Sequence, residues 1–192
     1  MYGRTVVEAL LALPDTTVDV ICGAPQGAEQ PPFKSHAALD AACSAARLRV
    51  SRVPLPVWGK VDRSAAHAAF ADGAAVALAA LGADRPPPDL LLGVDWTAAA
   101  AARNVRTALG GAVPLVHMNF RVFFAQLELL DGANDAAFYT EREREACEQA
   151  SAVIALTSAD AATLAALLPA GTLSPSVLNP PVTPQPSCSP AV

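Results

Sequence analysis

The sequence predicts an α/β domain built on a parallel, Rossmann-like sheet with helices on both faces. Short apolar runs of strand character alternate with helical segments along the chain. The connections between them are short, which demands a parallel sheet with right-handed crossovers. Polar residues gather where the apolar runs end, the place where open parallel sheets bind ligands. The domain is expected to span residues 1–182, and the Pro- and Ser-rich tail 183–192 is expected to be disordered.

Thr5 to Leu13 reads as a helix, because Val6, Val7, Leu10, Leu11 and Leu13 fall on one face, and Pro14-Asp15 ends it. Val18 to Cys22 is a strand stopped by Gly23 and Pro25. Ala37 to Arg47 is an alanine-rich helix, and Leu48 to Val53 a strand with partial alternation. Ser64 is placed to cap a long helix that runs to Leu81, where Gly82 and the run Pro86-Pro87-Pro88 stop it. Asp89 to Val94 is a buried-type strand, and Thr97 is the expected N-cap of a helix ending at Gly110-Gly111. The strand at Val113 is followed by a loop or mobile helix from Phe120 to Phe138. Thr140 is read as an N-cap with Glu143 as its capping-box partner, opening a helix to Ala150. Ala152 to Leu156 is a strand, Ser158 is expected to cap a helix to Leu168, and Ser176 to Leu178 is a last short strand.

The chain begins with a helix where a doubly wound sheet normally opens with a strand. Gly3-Arg4 reads as the remnant of a Gly-rich turn at the start of that helix, so the first strand of the sheet is expected to be missing.

With 192 residues the chain is long enough to bury one core. Its net charge of −5 argues against nucleic acid as a partner, which a basic face would serve. No apolar run is long enough to span a bilayer, which leaves only peripheral membrane contact, and the N-terminus lacks the layout of a signal peptide. Cys22, Cys43, Cys147 and Cys188 show no CxxC spacing and the histidines are far apart, so neither a metal nor a cofactor is expected, and a reducing, cytoplasmic compartment fits the thiols. P-loop, GxGxxG and GxSxG signatures are absent.

The candidate chemistry lies at strand ends. Asp95-Trp96 follows one strand, His117, Asn119 and Arg121 follow the next, and Thr157-Ser158 the one after. His117 can act as acid, base or donor near neutral pH, Arg121 can hold a phosphate or carboxylate in two-pronged fashion, and the helix N-terminus at Ser158 offers N–H groups to an anion. Each has a plainer reading. His117 could satisfy a backbone group, Arg121 could be a solvated charge, Asp95 could cap the next helix, and Glu141, Glu143 and Glu145 read as a solvated helix start. Trp58 in its Gly59-Lys60 loop is either core or a sugar-stacking platform, and Asn179 either a turn or a hinge residue.

On these residues the chain resembles the N-terminal domain of a GT-B glycosyltransferase of the large retaining group, family 4 or group 1. The resemblance rests on Asp95-Trp96, Pro114-Leu115-Val116 before a polar strand end, Glu141 to Ala150 before Ser151-Ala152-Val153-Ile154-Ala155-Leu156-Thr157-Ser158, and Val177-Leu178-Asn179. It is similar in particular to plant and algal members whose strand end reads like Met118-Asn119-Phe120-Arg121-Val122. The resemblance covers roughly residues 1 to 183. It implies the acceptor-side domain of an enzyme that moves a sugar from a nucleotide-sugar donor to an acceptor in an interdomain cleft. His117, Asn119 and Arg121 would serve catalysis, and Gly3, Arg4, Asp95, Trp96 and Ser158 would bind substrate. The family places its histidine a few residues later than His117, and its hinge Asn-Gly is Asn179-Pro180 here. Its donor-binding domain, with the paired glutamates, has no counterpart in this sequence, so no turnover is expected from these residues alone. The other class of function is a non-catalytic α/β module that binds a small anion or a protein partner, with an exposed apolar patch where a second domain would dock.

Overall fold

The computed structural model describes residues 2–25, 37–55, 63–82, 85–120, 122, 133–169 and 173–179. The chain is an α/β protein with parallel strands in two sheets. In chain order it runs α1 (Tyr2–Leu11), β1 (Val18–Pro25), α2 (Ala37–Ser44), β2 (Leu48–Leu55), α3 (Arg63–Leu81) and β3 (Leu91–Val94). A 3₁₀ turn at Trp96–Ala98 leads into α4 (Ala99–Ala108), then β4 (Leu115–Asn119), α5 (Ala133–Gln149), β5 (Ala152–Ala155), α6 (Ser158–Leu167) and β6 (Ser176–Val177).

β1 pairs with β2, and β3, β4, β5 and β6 pair in that order, every pair parallel. The expected single sheet is therefore divided between β1 and β3. Alternation along each strand sends side chains to opposite faces. On one face of the first sheet, Val18 and Val20 of β1 and Leu48 and Val50 of β2 pack with Val7 and Leu11 of α1 and Leu39 and Ala42 of α2. On the other face Ile21 packs with Phe70, Ala74 and Leu78 of α3, in a cluster that also holds Leu91 of β3 and Ala101, Val105 and Leu109 near α4. A third cluster joins Val153 and Ala155 of β5 to Cys147 and Ala150 behind α5 and to Ala161, Leu164 and Leu168 of α6.

Polar links fix how the elements sit. The Arg47 guanidinium donates to the carbonyls of Leu11, Leu13 and Thr16, closing the C-terminus of α1 against the start of β2. That use of Arg47, with Ala46 at φ 55°, ends α2 at Ser44, short of the expected Arg47. Asp19 takes both Arg49 (2.7 Å) and Arg85 (2.9 Å), tying the start of β1 to the segment that leads into β3. Gly110 and Gly111 have φ 79° and 81° and close α4 as the expected glycine pair, with the Gly111 N–H donating to the Arg106 carbonyl at 2.9 Å.

Four expected caps are corrected, the first being Ser64, which lies inside α3 (Arg63–Leu81). Thr140 lies inside α5, which begins at Ala133, and its hydroxyl donates back to the Ala136 carbonyl at 2.7 Å. Aromatic packing of Phe138 and Tyr139 against Trp96 holds the preceding turn in the helix, so Thr140 starts nothing. Thr97 lies within the 3₁₀ turn, and Ala98 stands at the N-cap of α4 without a side-chain bond. Thr157, not Ser158, caps α6: its backbone is extended, and its hydroxyl oxygen accepts the Asp160 N–H at 3.0 Å while donating to the Asp160 carboxylate at 2.7 Å. The ranges of Trp58 to Lys60 and of the 183–192 tail lie outside the described residues.

Candidate functional site

β3, β4 and β5 are neighbours and parallel, so Asp95, Asn119 and Thr157 come to the same end of one sheet. Asp95 joins two of these strand ends. Its N–H donates to the Met118 carbonyl at 2.9 Å, and its carboxylate accepts the Phe120 N–H at 2.7 Å. It does so in a backbone conformation, φ 55° and ψ 170°, that side-chain-bearing residues rarely adopt. It makes no side-chain cap to the turn that follows, so the capping reading of Asp95 is replaced by a strand-to-strand tie.

Behind this tie lies a buried polar pair. His117 is 2% exposed and Asn119 1% exposed, both on β4. His117 Nε2 stands 2.7 Å from Asn119 Oδ1. Burial pushes the His117 pKa down to about 4, against a smaller upward pull from Asn119, so the ring is neutral near pH 7. A neutral ring with its proton on Nε2 donates to Oδ1, and Asn119 Nδ2 is then a buried donor with no acceptor among the described residues. Turning the amide over would pair Nδ2 with the ring and leave Oδ1 in its place, so one amide atom stays open in either orientation. Behind the ring, Gly93 of β3 is close: a Cβ there would lie 3.5 Å from His117 Nδ1.

The Trp96 ring is 3% exposed and stacks on His67 at 5.6 Å between centroids, with Phe138 and Tyr139 set edge-on at 5.5 and 5.3 Å. Arg142 lies over Phe138 at 5.7 Å. Burial lowers the His67 pKa, reinforced by Arg142. Trp96 therefore serves the interior of the site, where it locks the turn after β3 against α3 and α5. Ser158 is exposed at the first residue of α6. Arg4 pairs with Glu8 at 2.9 Å on α1. Since Arg47 fixes the C-terminus of α1 at the amino ends of the strands, Gly3 and Arg4 lie toward the carboxyl ends, beside β1. The structure thus brings His117, Asn119, Asp95 and Trp96 together, with Ser158 on the neighbouring strand end, and leaves Gly3 and Arg4 on the side of β1. Arg121 lies outside the described residues.

Glu143 escaped the sequence reading. It is fully buried at 0% exposure on α5, where a solvated acid was expected. The signal was present in its spacing: Tyr139, Glu143, Ala146, Cys147 and Ala150 are all buried and mark one helical stripe. Beside it, burial pushes the Cys147 thiol up to about 12, with Glu143 and Glu148 adding to the effect. Among the described residues, no group of three or more His, Cys, Asp or Glu side chains is placed to hold a metal ion, and no helix is long and apolar enough to cross a membrane.

No protein-family model matches the chain, and no curated protein matches it.

Proposed function

We propose that this chain is the acceptor-side domain of a retaining glycosyltransferase, transferring a sugar from a nucleotide-sugar donor held by a second domain. The observation that carries the reading is the Asp95, His117 and Asn119 constellation at adjoining carboxyl ends of parallel strands, where this architecture places ligands. On this reading the open amide atom of Asn119, 1% exposed at the end of β4, would meet a neutral, hydroxyl-bearing acceptor, while the neutral His117 holds the other amide atom. Arg121, three residues beyond Met118, would meet the departing phosphate, whose charge is the main object of stabilisation in such a transfer. The test is transfer of labelled sugar from a panel of nucleotide sugars by the polypeptide in continuity with its donor-binding half. Transfer from one donor supports the reading, and none from any donor overturns it.

A second reading is favoured by Leu173, Val177 and Leu178, which are exposed at 39%, 42% and 53% around the edge strand β6. They suit a protein partner, and on this reading the His117–Asn119 pair is an element of the core. A Val177→Asp variant that loses a partner while transfer is absent throughout would favour it.

A further inference from the structure

A second buried histidine stands beside the Asp95 tie. His67 of α3 is 9% exposed and stacks on Trp96 at 5.6 Å, with the two ring planes 21° apart. Its ring makes a hydrogen bond to the Trp96 backbone that favours the protonated form, as a carbonyl acceptor does. Nε2 is buried with no partner among the described residues, so the bond to Trp96 leaves from Nδ1. The charged groups that act on the ring from the packed elements are Arg142 and Glu145 of α5 and Arg103 of α4. The two arginines oppose a charge on the ring. Glu145 favours one, but its carboxylate is already held by Arg103, Arg142 and Gln149. A proton added at Nε2 therefore meets no acceptor among the described residues, and the charge around it is unfavourable.

We infer that the His67–Trp96 stack is an acid-opened latch on the strand-end tie: a proton at Nε2 drives the ring off Trp96 and releases the Phe120 N–H from the Asp95 carboxylate. Trp96 directly follows Asp95, whose φ of 55° persists only while neighbouring contacts enforce it. With the His67 ring stacked, the turn after β3 is clamped between α3 and α5. With the ring in solvent, the α3 side of the clamp is gone. Asp95 can then leave its strained conformation, and the Phe120 N–H loses its acceptor. The chain leaving Asn119 moves with it. Burial sets the direction of the switch. The closed state holds the His67 pKa below 6.5, through burial first and Arg142 second, so the open state takes the proton first as pH falls. The ratio of open to closed grows by at most about tenfold per pH unit below 6.5, and stops growing where the closed ring itself titrates. The latch acts on the tie and does not rest on the transferase reading.

Amide hydrogen exchange of the 192-residue chain between pH 7 and pH 5 tests the latch. The readout is the protection factor, which removes the intrinsic pH dependence of exchange. Phe120 should lose protection at least about threefold, while Val20, paired in the other sheet, keeps its own. The fall should level off at the pH where the NMR shift of the His67 ring titrates. His67→Phe keeps an aromatic stack but takes no proton, and should leave Phe120 protection flat. His117→Gln should leave the fall in place. Flat Phe120 protection in the wild type would overturn the inference. So would a loss shared equally by Val20, a fall that persists in His67→Phe, or one that vanishes in His117→Gln. Where His67→Phe does not fold, the wild type decides alone: a fall that continues below the pH of the His67 titration overturns the inference.

Discussion

The Asp95 carboxylate accepts the Phe120 N–H at 2.7 Å and so binds the end of β3 to the end of β4, from a residue held at φ 55°. Backbone strain of this kind costs about 1–3 kcal/mol and persists only where neighbouring bonds enforce it. Here the enforcing bonds are those to Phe120 and Met118. The same tie fixes the direction in which the chain leaves Asn119, so it also sets the geometry of the candidate site.

Substitution at position 95 should separate strain from bonding. Asp95→Asn keeps an acceptor and should cost under about 1 kcal/mol, whereas Asp95→Ala leaves the Phe120 N–H without it and should cost about 1–3 kcal/mol. Asp95→Gly loses the bond but accepts the backbone, and should fall between the two. Urea unfolding measures all three; equal losses for Ala and Asn would show that the bond contributes nothing.

His117 should make stability depend on pH in acid. Its folded pKa of about 4 lies below the ordinary value of 6.5, so the unfolded chain binds the extra proton first as pH falls. Stability is full above about 6.5 and declines as pH drops toward 4, by about 3 kcal/mol from this group at most. His67, lowered in the same direction, adds to the decline. Relative to the wild type, His117→Gln should flatten the dependence between pH 6.5 and 4, and an unchanged slope would refute the assignment.

Gly73 sits in the middle of α3, where alanine is ordinarily better by about 1 kcal/mol. In this fold a Cβ at Gly73 would come within 2.3 Å of Val53 Cγ1 on β2, and a β-branched side chain yields little. Gly73→Ala should therefore destabilise, by about 1–3 kcal/mol as overpacked cores do. A rise in melting temperature would mean that α3 stands off from β2.

The thiols should divide by burial. Cys43 is exposed, whereas Cys147 is 1% exposed with its pKa pushed up to about 12. Iodoacetamide at pH 8 should label Cys43 within minutes and leave Cys147 unmodified until the protein unfolds, as peptide mass mapping would show.

The order of strands and helices was legible because apolar runs mark them directly, as at Val18 and Leu48, and the Gly110-Gly111 pair marks a helix end; the expected stop at Gly23 and Pro25 was not one, because β1 stays paired with β2 through Pro25. Caps were less legible. Thr140 and Ser158 each have the chemistry of an N-cap, but which hydroxyl performs it depends on the backbone angle of its neighbour, set by packing around Phe138 and Tyr139 in one case and by the extended Thr157 in the other. The strand-end positions of Asp95 and Asn119 were legible, and the burial of His117 and Asn119 was not. His117 shares one face of β4 with Leu115 and Asn119, all three buried, so His117 lies behind the residue at the strand end. Glu143 was misread because charge was weighed ahead of helical spacing.

The measurement that bears most directly on the proposed role of this site is the sugar-transfer rate of the polypeptide joined to its donor-binding half, compared with its Asn119→Ala variant at matched fold by circular dichroism. If Asn119 meets the acceptor, the variant loses at least tenfold in kcat/KM for the acceptor while donor KM is unchanged. Equal transfer by both proteins would contradict that role and assign Asn119 to the core.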